Sequence, residues 1–436
     1  MIGPVIEENT GLKVKSTPKS KDWVSRFDGD EGALHAAQSE DARKEIAGLM
    51  SVTCNIMNAQ NNTNIAGVVF DALTGSYLLS DPATTVNDLV FMQLRMVMED
   101  DEGFPTFKER LQKYYVPEKS GRALLSMLFP SDFWYQKGDV KIREGILISG
   151  RLTSDNIGSG QGSIIQALYK DYGMQRTANF LTDIYRASGY FLDTHGFSVG
   201  IDDCFLQGKE PDKVIQYEVQ KVKMLVKAMG TKLQDPLEEE RREKQIMAHL
   251  DTAKNLGVKI SKENLSESNA FNVMAKSGAK GSTANIAFIT AIIGQQFAEG
   301  QRLPEKNGRT IPYFEPFSES VEARGFVNRN YLQGVTPAEA FFLLFAARGP
   351  VSQSSNSVAM SGDLSHRLHK AFEDVKVFPD GSVRNAAGII FQFSYGETSF
   401  DLAQVESVQT KSGRFTSFID LRRASGKINS KYGFNQ

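Results

Sequence analysis

Cysteine is scarce in this chain: 436 residues contain only two, Cys54 and Cys204. Neither has Cys or His beside it at metal-ligand spacing, which excludes a disulfide framework and a zinc site and fits a reducing compartment. Long apolar runs are missing as well. No stretch approaches membrane-spanning length, and the start, MIGPVIEENTGLKVK, has no signal-peptide core, so a soluble chain without membrane contact is expected. An excess of either charge is also lacking. The net charge of −2 is too small for nucleic-acid binding over the whole surface, so any such contact must be local. No internal repeat is visible.

What remains is ordinary for folded protein: 41% hydrophobic, 10% aromatic and 23% charged residues, which argues against wholesale disorder. The length exceeds one hydrophobic core, so several lobes are expected. Residues 52 to 200 mix short apolar runs with Gly, Asn and Asp, which predicts strands and loops among helices. Between 214 and 256, Val219, Val222, Leu225 and Val226 recur at helical spacing. Two long antiparallel helices hinged near Gly230 to Pro236 follow. The run EEERREKQ at 238 to 245 reads as the solvated face of a helix. Thr336, Pro337 and Glu339 mark a helix start, because the hydroxyl caps and proline suits the first turn. That helix should run to about Val377, on the order of 60 Å at 1.5 Å per residue, softened at Gly349-Pro350 and Gly362. A short strand and turn should follow it, and the tail to Gln436 looks weakly ordered.

Three segments invite a chemical reading. Asp28 and Asp30 flank Gly29 on a tight turn, and two close carboxylates suit a hard cation such as Mg2+, although Asp-Gly-Asp is in most chains an exposed turn. His35 nearby serves as well for packing. The loop Ser277-Gly278-Ala279-Lys280-Gly281-Ser282 lacks Walker spacing and a preceding strand, and GSGQG at 158 to 162 lacks dinucleotide-binding spacing. Both read as backbone turns.

The order of the segments is more specific than any one of them. FDGDEGALHAAQSEDAR, SGRALLSMLFP, EGILISGRLTSDNIGSGQGSIIQALYKDYG, YFLDTHGFSVGIDDC, NVMAKSGAKGSTANIAFITAIIGQQFAEGQR, RTIPYF, ARGFVNRNYLQGVTPAEAFF and SHRLHKAFEDVKVFPDGSVRNAAGIIFQFSYGE follow one another over residues 24 to 405. In that order they resemble the largest subunit of multisubunit DNA-directed RNA polymerases, of the archaeal, eukaryotic and large-virus type. The resemblance implies an α+β, multi-lobed chain. It would hold a remnant of the double-psi β-barrel with the aspartate loop (1–52), a mixed pore region (53–212), a funnel region with long antiparallel helices (213–330), a long bridge helix with its exit strand (331–405) and a tail (406–436).

The resemblance further implies templated RNA synthesis, by nucleotidyl transfer from NTPs with Mg2+ held by Asp28 and Asp30. Lys280, Arg309, Arg348, Ser354, Ser355 and Gly362 are the implied nucleic-acid and nucleotide contacts. The implied partners are the second-largest subunit, chains supplying the clamp, the rest of the barrel and the trigger loop, a DNA template and the RNA transcript. A split subunit and a piece of a longer reading frame both satisfy this. Two positions depart from the family loop: Arg26 stands where it has its first aspartate, and Val24 where it has an asparagine. A guanidinium there would pair with the carboxylates and repel a divalent cation. The middle of the implied bridge helix, PVSQSSNSVAMSGD, also lacks the family's Asp-Thr-Ala and the lysine after it. The alternative function is a non-catalytic or degenerate paralogue acting in assembly or nucleic-acid binding.

Overall fold

The computed structural model describes residues 36–58, 62–97, 104–206, 210–230, 234–318, 320–399, 405–410, 413–417 and 421–432. The chain divides into two compact units: residues 1–197 with 276–280 and 400–436, and residues 198–275 with 281–399. Both mix helices with small antiparallel sheets, in keeping with an α+β chain. No barrel forms among the described residues, and residues 1–35 of the expected barrel remnant lie outside them.

In the first unit the strands Tyr135–Lys137, Val140–Arg143 and Ile146–Ser149 make an antiparallel sheet. Val140 and Ile142 are buried while Lys141 faces water, the period of two that a one-sided sheet requires. The second hairpin turns at Glu144 and Gly145, both with positive φ, which matches the strands' twist. A Cβ on Gly145 would meet the Pro130 carbonyl oxygen at 2.5 Å, so only glycine fits. Helices Phe70–Leu79, Asp88–Val97 and Gly121–Ser126 surround a core in which Phe129 stacks on Phe133 and Phe180, each at 5.4 Å between centroids. Helix Ile164–His195 spans this core and breaks at Gly173, whose φ of 81° is not helical.

The tail corrects the expectation of weak order. It forms a hairpin, Glu406–Thr410 with Gly413–Ser417, and a helix, Leu421–Tyr432. Arg423 pairs with Asp171 at 3.0 Å, and Lys427 reaches Asp171 and Asp132 at 3.8 and 3.6 Å. Gly426 lies flat on Trp134, where a Cβ would approach the ring to 2.3 Å. The basic residues were visible in sequence, but their carboxylate partners stand some 250 positions earlier.

In the second unit, helices Glu210–Ala228 and Pro236–Glu263 form the expected hairpin. Ile215, Val219, Val222 and Val226 bury against Ile246, Leu250, Ala253 and Ile260, the seam that the spacing of the three valines predicts, whereas Leu225, grouped with them in sequence, is exposed. Helix Pro337–Phe372 has the expected capping box. Thr336 Oγ1 accepts from the Glu339 amide at 3.3 Å, and the Glu339 carboxylate accepts from the Thr336 amide at 2.8 Å. The helix continues through Pro350 and Gly362 and stops at Phe372, five residues short of the expected end. An antiparallel sheet of Lys376–Val377, Val383–Arg384 and Ile390–Gln392 follows.

Candidate functional site

Asp28 and Asp30, together with Val24, Arg26 and His35, lie outside the described residues. Description begins just after them, where Ser39 caps helix Glu40–Gly48 by accepting from the Ala42 amide at 3.2 Å. Among the described residues no group of three His, Cys, Asp or Glu could hold a metal ion, and Cys54 and Cys204 are free thiols. No described helix is long and apolar enough to cross a membrane.

The two glycine-bearing loops are turns with their polar groups in use. At 158 to 162, Asn64 Nδ2 donates to the Gly158 carbonyl at 2.9 Å, and Tyr135 donates to the Gly162 carbonyl at 2.8 Å. Lys137 donates to the Asp155 and Gln161 carbonyls at 2.7 and 2.6 Å. Burial depresses the Lys137 pKa, against the opposing pull of Asp155, and burial raises that of Tyr135. The loop's Gly158, Gln161 and Gly162 carbonyls are thus taken up by the chain's own donors. In the second loop, Ser277 is buried and Gly278 lies so close to Ser154 that a Cβ would meet its hydroxyl at 2.2 Å. Lys280 is exposed, with its ammonium 5.5 Å from the centre of the Phe70 ring.

The other candidate contacts belong to the second unit. Arg309 is exposed in a turn closed by bridging to Lys306. Arg348, Ser354, Ser355 and Gly362 all lie on helix Pro337–Phe372 and are exposed. Arg348, Ser355 and Gly362 recur every seven residues and share one stripe of the helix, with Ser354 about 100° away. Among the described residues only the start of this helix is anchored. Phe342 is buried and stacks on Phe314 at 6.0 Å, and from residue 347 to the helix end at Phe372 every residue is exposed. Val351, Val358 and Met360 stand about 70% open to solvent, an apolar surface of the kind found at interfaces.

Sequence reasoning missed one buried cluster, in the run taken for a solvated helix face. Glu238, Glu240, Arg241 and Lys244 are indeed exposed. Glu243, however, accepts from Arg302 with both oxygens, at 2.7 and 2.8 Å, and lies 3.3 Å from Arg324 and 3.6 Å from Arg242. Burial alone would raise the Glu243 pKa, but the hydrogen bonds and charge of Arg302, with Arg324 and Arg242, outweigh it and hold the carboxyl below its usual range. The signal was absent because Arg302 and Arg324 come 59 and 81 residues later.

Family models agree with this picture. The chain matches RNA polymerase Rpb1 domain 3 over residues 55–204 and Rpb1 domain 4 over residues 218–327. It is 32% identical to the probable DNA-directed RNA polymerase II subunit RPB1 homolog of Invertebrate iridescent virus 6, over 95% of this chain and 43% of that protein. It is 30% identical to the DNA-directed RNA polymerase subunit Rpo1N of Methanococcus vannielii, over 93% of this chain and 47% of the relative. With RPB1-B of Trypanosoma brucei brucei it shares 30% over 90% of this chain and 23% of that one. The chain thus spans less than half the length of these relatives. It belongs to the family of largest subunits of DNA-directed RNA polymerase, of which it represents a central segment.

Proposed function

We propose that this chain works in templated RNA synthesis, contributing the metal-binding loop and part of the nucleic-acid cleft to a multisubunit RNA polymerase. The observation that carries this reading is the likeness to polymerase largest subunits over more than nine-tenths of the chain. In this reading Asp28 and Asp30 hold Mg2+. Two carboxylates on one turn are the oxygen donors that a small hard cation takes, with substrate phosphates completing its shell. When bound, the ion supplies activation of the RNA 3′ hydroxyl and neutralisation of charge at the α-phosphate of the incoming nucleotide.

Helix Pro337–Phe372 takes the place of the bridge helix, and helices Glu210–Ala228 and Pro236–Glu263 that of the funnel. The stripe of Arg348, Ser355 and Gly362 supports this: one cation among small side chains allows a phosphate backbone to come close. Lys280, Arg309 and Ser354 serve as further contacts, each exposed and able to reach an external phosphate. The exposed apolar length of the helix supports work inside an assembly, with the second-largest subunit and with chains supplying the clamp, barrel and trigger-loop parts.

A second reading is favoured by one observation. Arg26 would neutralise the aspartate turn, and a chain with a disabled metal site would keep the fold for assembly or nucleic-acid binding. Reconstituted complexes carrying the parent chain or Asp30→Ala are to be compared in magnesium-dependent transcription. A loss of at least about 100-fold is expected for removal of a metal ligand. Equal activity eliminates the catalytic reading.

A further inference from the structure

The tail helix, Leu421–Tyr432, opens with the sequence Leu421-Arg422-Arg423-Ala424-Ser425-Gly426. Among all serines and threonines of the chain, Ser425 alone has arginine at both the second and the third position before it. Paired arginines so placed are a charge pattern that arginine-directed protein kinases select, because carboxylates in their peptide groove take up both guanidinium groups. Such a pattern matters only where the hydroxyl is open to solvent and the segment can leave its fold. The tail meets both conditions.

Arg423, Gly426 and Lys427 sit at positions i, i+3 and i+4 and form the docked face of the helix. Arg423 holds Asp171 and also donates to the Ala167 carbonyl at 3.3 Å, Gly426 lies on Trp134, and Lys427 reaches Asp132 and Asp171. Ser425 is about 160° around the helix from Arg423 and Lys427 and is exposed, as are Leu421 and Ile428 on the same side. The hold on the docked face is light. Lys427 and Asp132 are 34% and 60% open to solvent, so screening weakens their attraction. A helix of 12 residues with glycine near its middle is also below the length at which helices persist alone. Local opening of the tail therefore costs far less than unfolding of the core it rests on.

We propose that Ser425 is a phosphorylation site for an arginine-directed protein kinase, and that phosphate there keeps the tail helix undocked. A kinase groove takes an extended segment, so the enzyme captures the tail once Arg423 has left Asp171. Ser425 Oγ attacks the γ-phosphorus of ATP: the new O–P bond forms as the bond to the β,γ-bridging oxygen breaks, ADP leaves, and the kinase's catalytic aspartate takes the hydroxyl proton. The product carries a charge of about −1.5 to −2 at Ser425. In the helix that charge faces away from Arg423, but in an extended chain alternate residues share a side, so phosphate and guanidinium meet. The phosphate then competes with Asp171 for Arg423, and its charge opposes return of the segment towards Asp132 and Asp171.

The test treats the full chain with ATP, magnesium and the catalytic subunit of cyclic-AMP-dependent protein kinase, an arginine-directed enzyme, and locates phosphate by peptide mass spectrometry. One phosphoryl group on Ser425 is expected, and none on that peptide in Ser425→Ala. Arg422→Ala should lower kcat/KM for the modification at least about tenfold, as loss of a charge-assisted contact requires. Asp171→Asn, checked by circular dichroism for an intact fold, weakens docking and should raise kcat/KM at least about threefold by enlarging the open fraction. In the phosphorylated chain, amide hydrogen exchange over residues 421 to 432 should be at least about tenfold faster, with helix Pro236–Glu263 unchanged. Phosphate on Ser425 in neither the parent nor Asp171→Asn, equal modification rates for those two chains, or equal tail exchange with and without phosphate overturns the proposal. Phosphate position and tail exchange do not involve transcription, so failure here is separate from failure of the Asp30→Ala test.

Discussion

Replacing Glu243 by glutamine removes one negative charge from a cluster of three arginines while keeping the side chain's shape. The three cations do not lose equally. Arg242 keeps Glu239 at 2.8 Å and Arg324 keeps Glu305 at 3.8 Å, but Arg302, with its side chain 5% exposed, has no other carboxylate partner among the described residues. Removing one partner of a fully buried pair costs about 3–5 kcal/mol. Glu243 is itself 23% exposed and glutamine still accepts one hydrogen bond, which lowers the expectation to about 2–3 kcal/mol. The comparison is Glu240→Gln, whose pair with Lys244 at 2.6 Å lies in open solvent, where screening leaves it little to contribute. Because the chain has two units and need not unfold in one step, the assay is amide hydrogen exchange along helix Pro236–Glu263. The pH dependence supplies a second readout. The Glu243 pKa is depressed in the fold, so its stabilisation is complete above the ordinary glutamate value of 4.5 and is lost as pH falls through the lower folded value. The variant should lose less protection than the parent across that acid range. If Glu243→Gln exchanges like Glu240→Gln at neutral pH, the cluster does not hold this helix and the reasoning fails.

Gly426→Val should release the tail helix from Trp134, read as a shift in tryptophan fluorescence and faster proteolysis after residue 405; unchanged cleavage refutes the docking. Thr336→Ala removes the cap of helix Pro337–Phe372 and should cost about 1 kcal/mol locally, seen as faster exchange in its first turn. In the isolated chain, residues 347 to 372 should exchange much faster than helix Pro236–Glu263, and addition of a second-largest subunit should slow them at least about tenfold. Equal protection in the free chain would show that the helix needs no cover.

What the sequence disclosed was what short spacing can encode. The spacing of Val219, Val222 and Val226 and the cap at Thr336 both depend on neighbours within a few positions. What it hid depends on partners far along the chain. Glu243 looked solvated because Arg302 and Arg324 lie beyond its helix. The tail looked loose because Trp134 and Asp171 lie on another part of its unit. The aspartate turn was legible as a motif, yet its geometry lies outside the described residues.

The long helix is the part of the chain least able to hold its shape unaided. Between Ser352 and Ser357 every residue is Ser, Asn or Gln. Serine and asparagine each fall a few tenths of a kcal/mol or more below alanine in helix preference, so this run forfeits about 2–3 kcal/mol. Pro350 removes a backbone hydrogen bond in the turn just before it, at a cost of roughly 3 kcal/mol. Against this, residues 347 to 372 are all exposed among the described residues, and the capping box and the Phe342 anchor act only at the far end. Local preference and internal packing therefore both disfavour a straight helix there, while its exposed Val351, Val358, Met360 and Leu364 offer the apolar surface through which a neighbour could support it. Such a helix is stable as a component of an assembly, a requirement that the catalytic reading and the degenerate one share. The difference between them rests on whether Arg26 leaves Asp28 and Asp30 free to bind a cation.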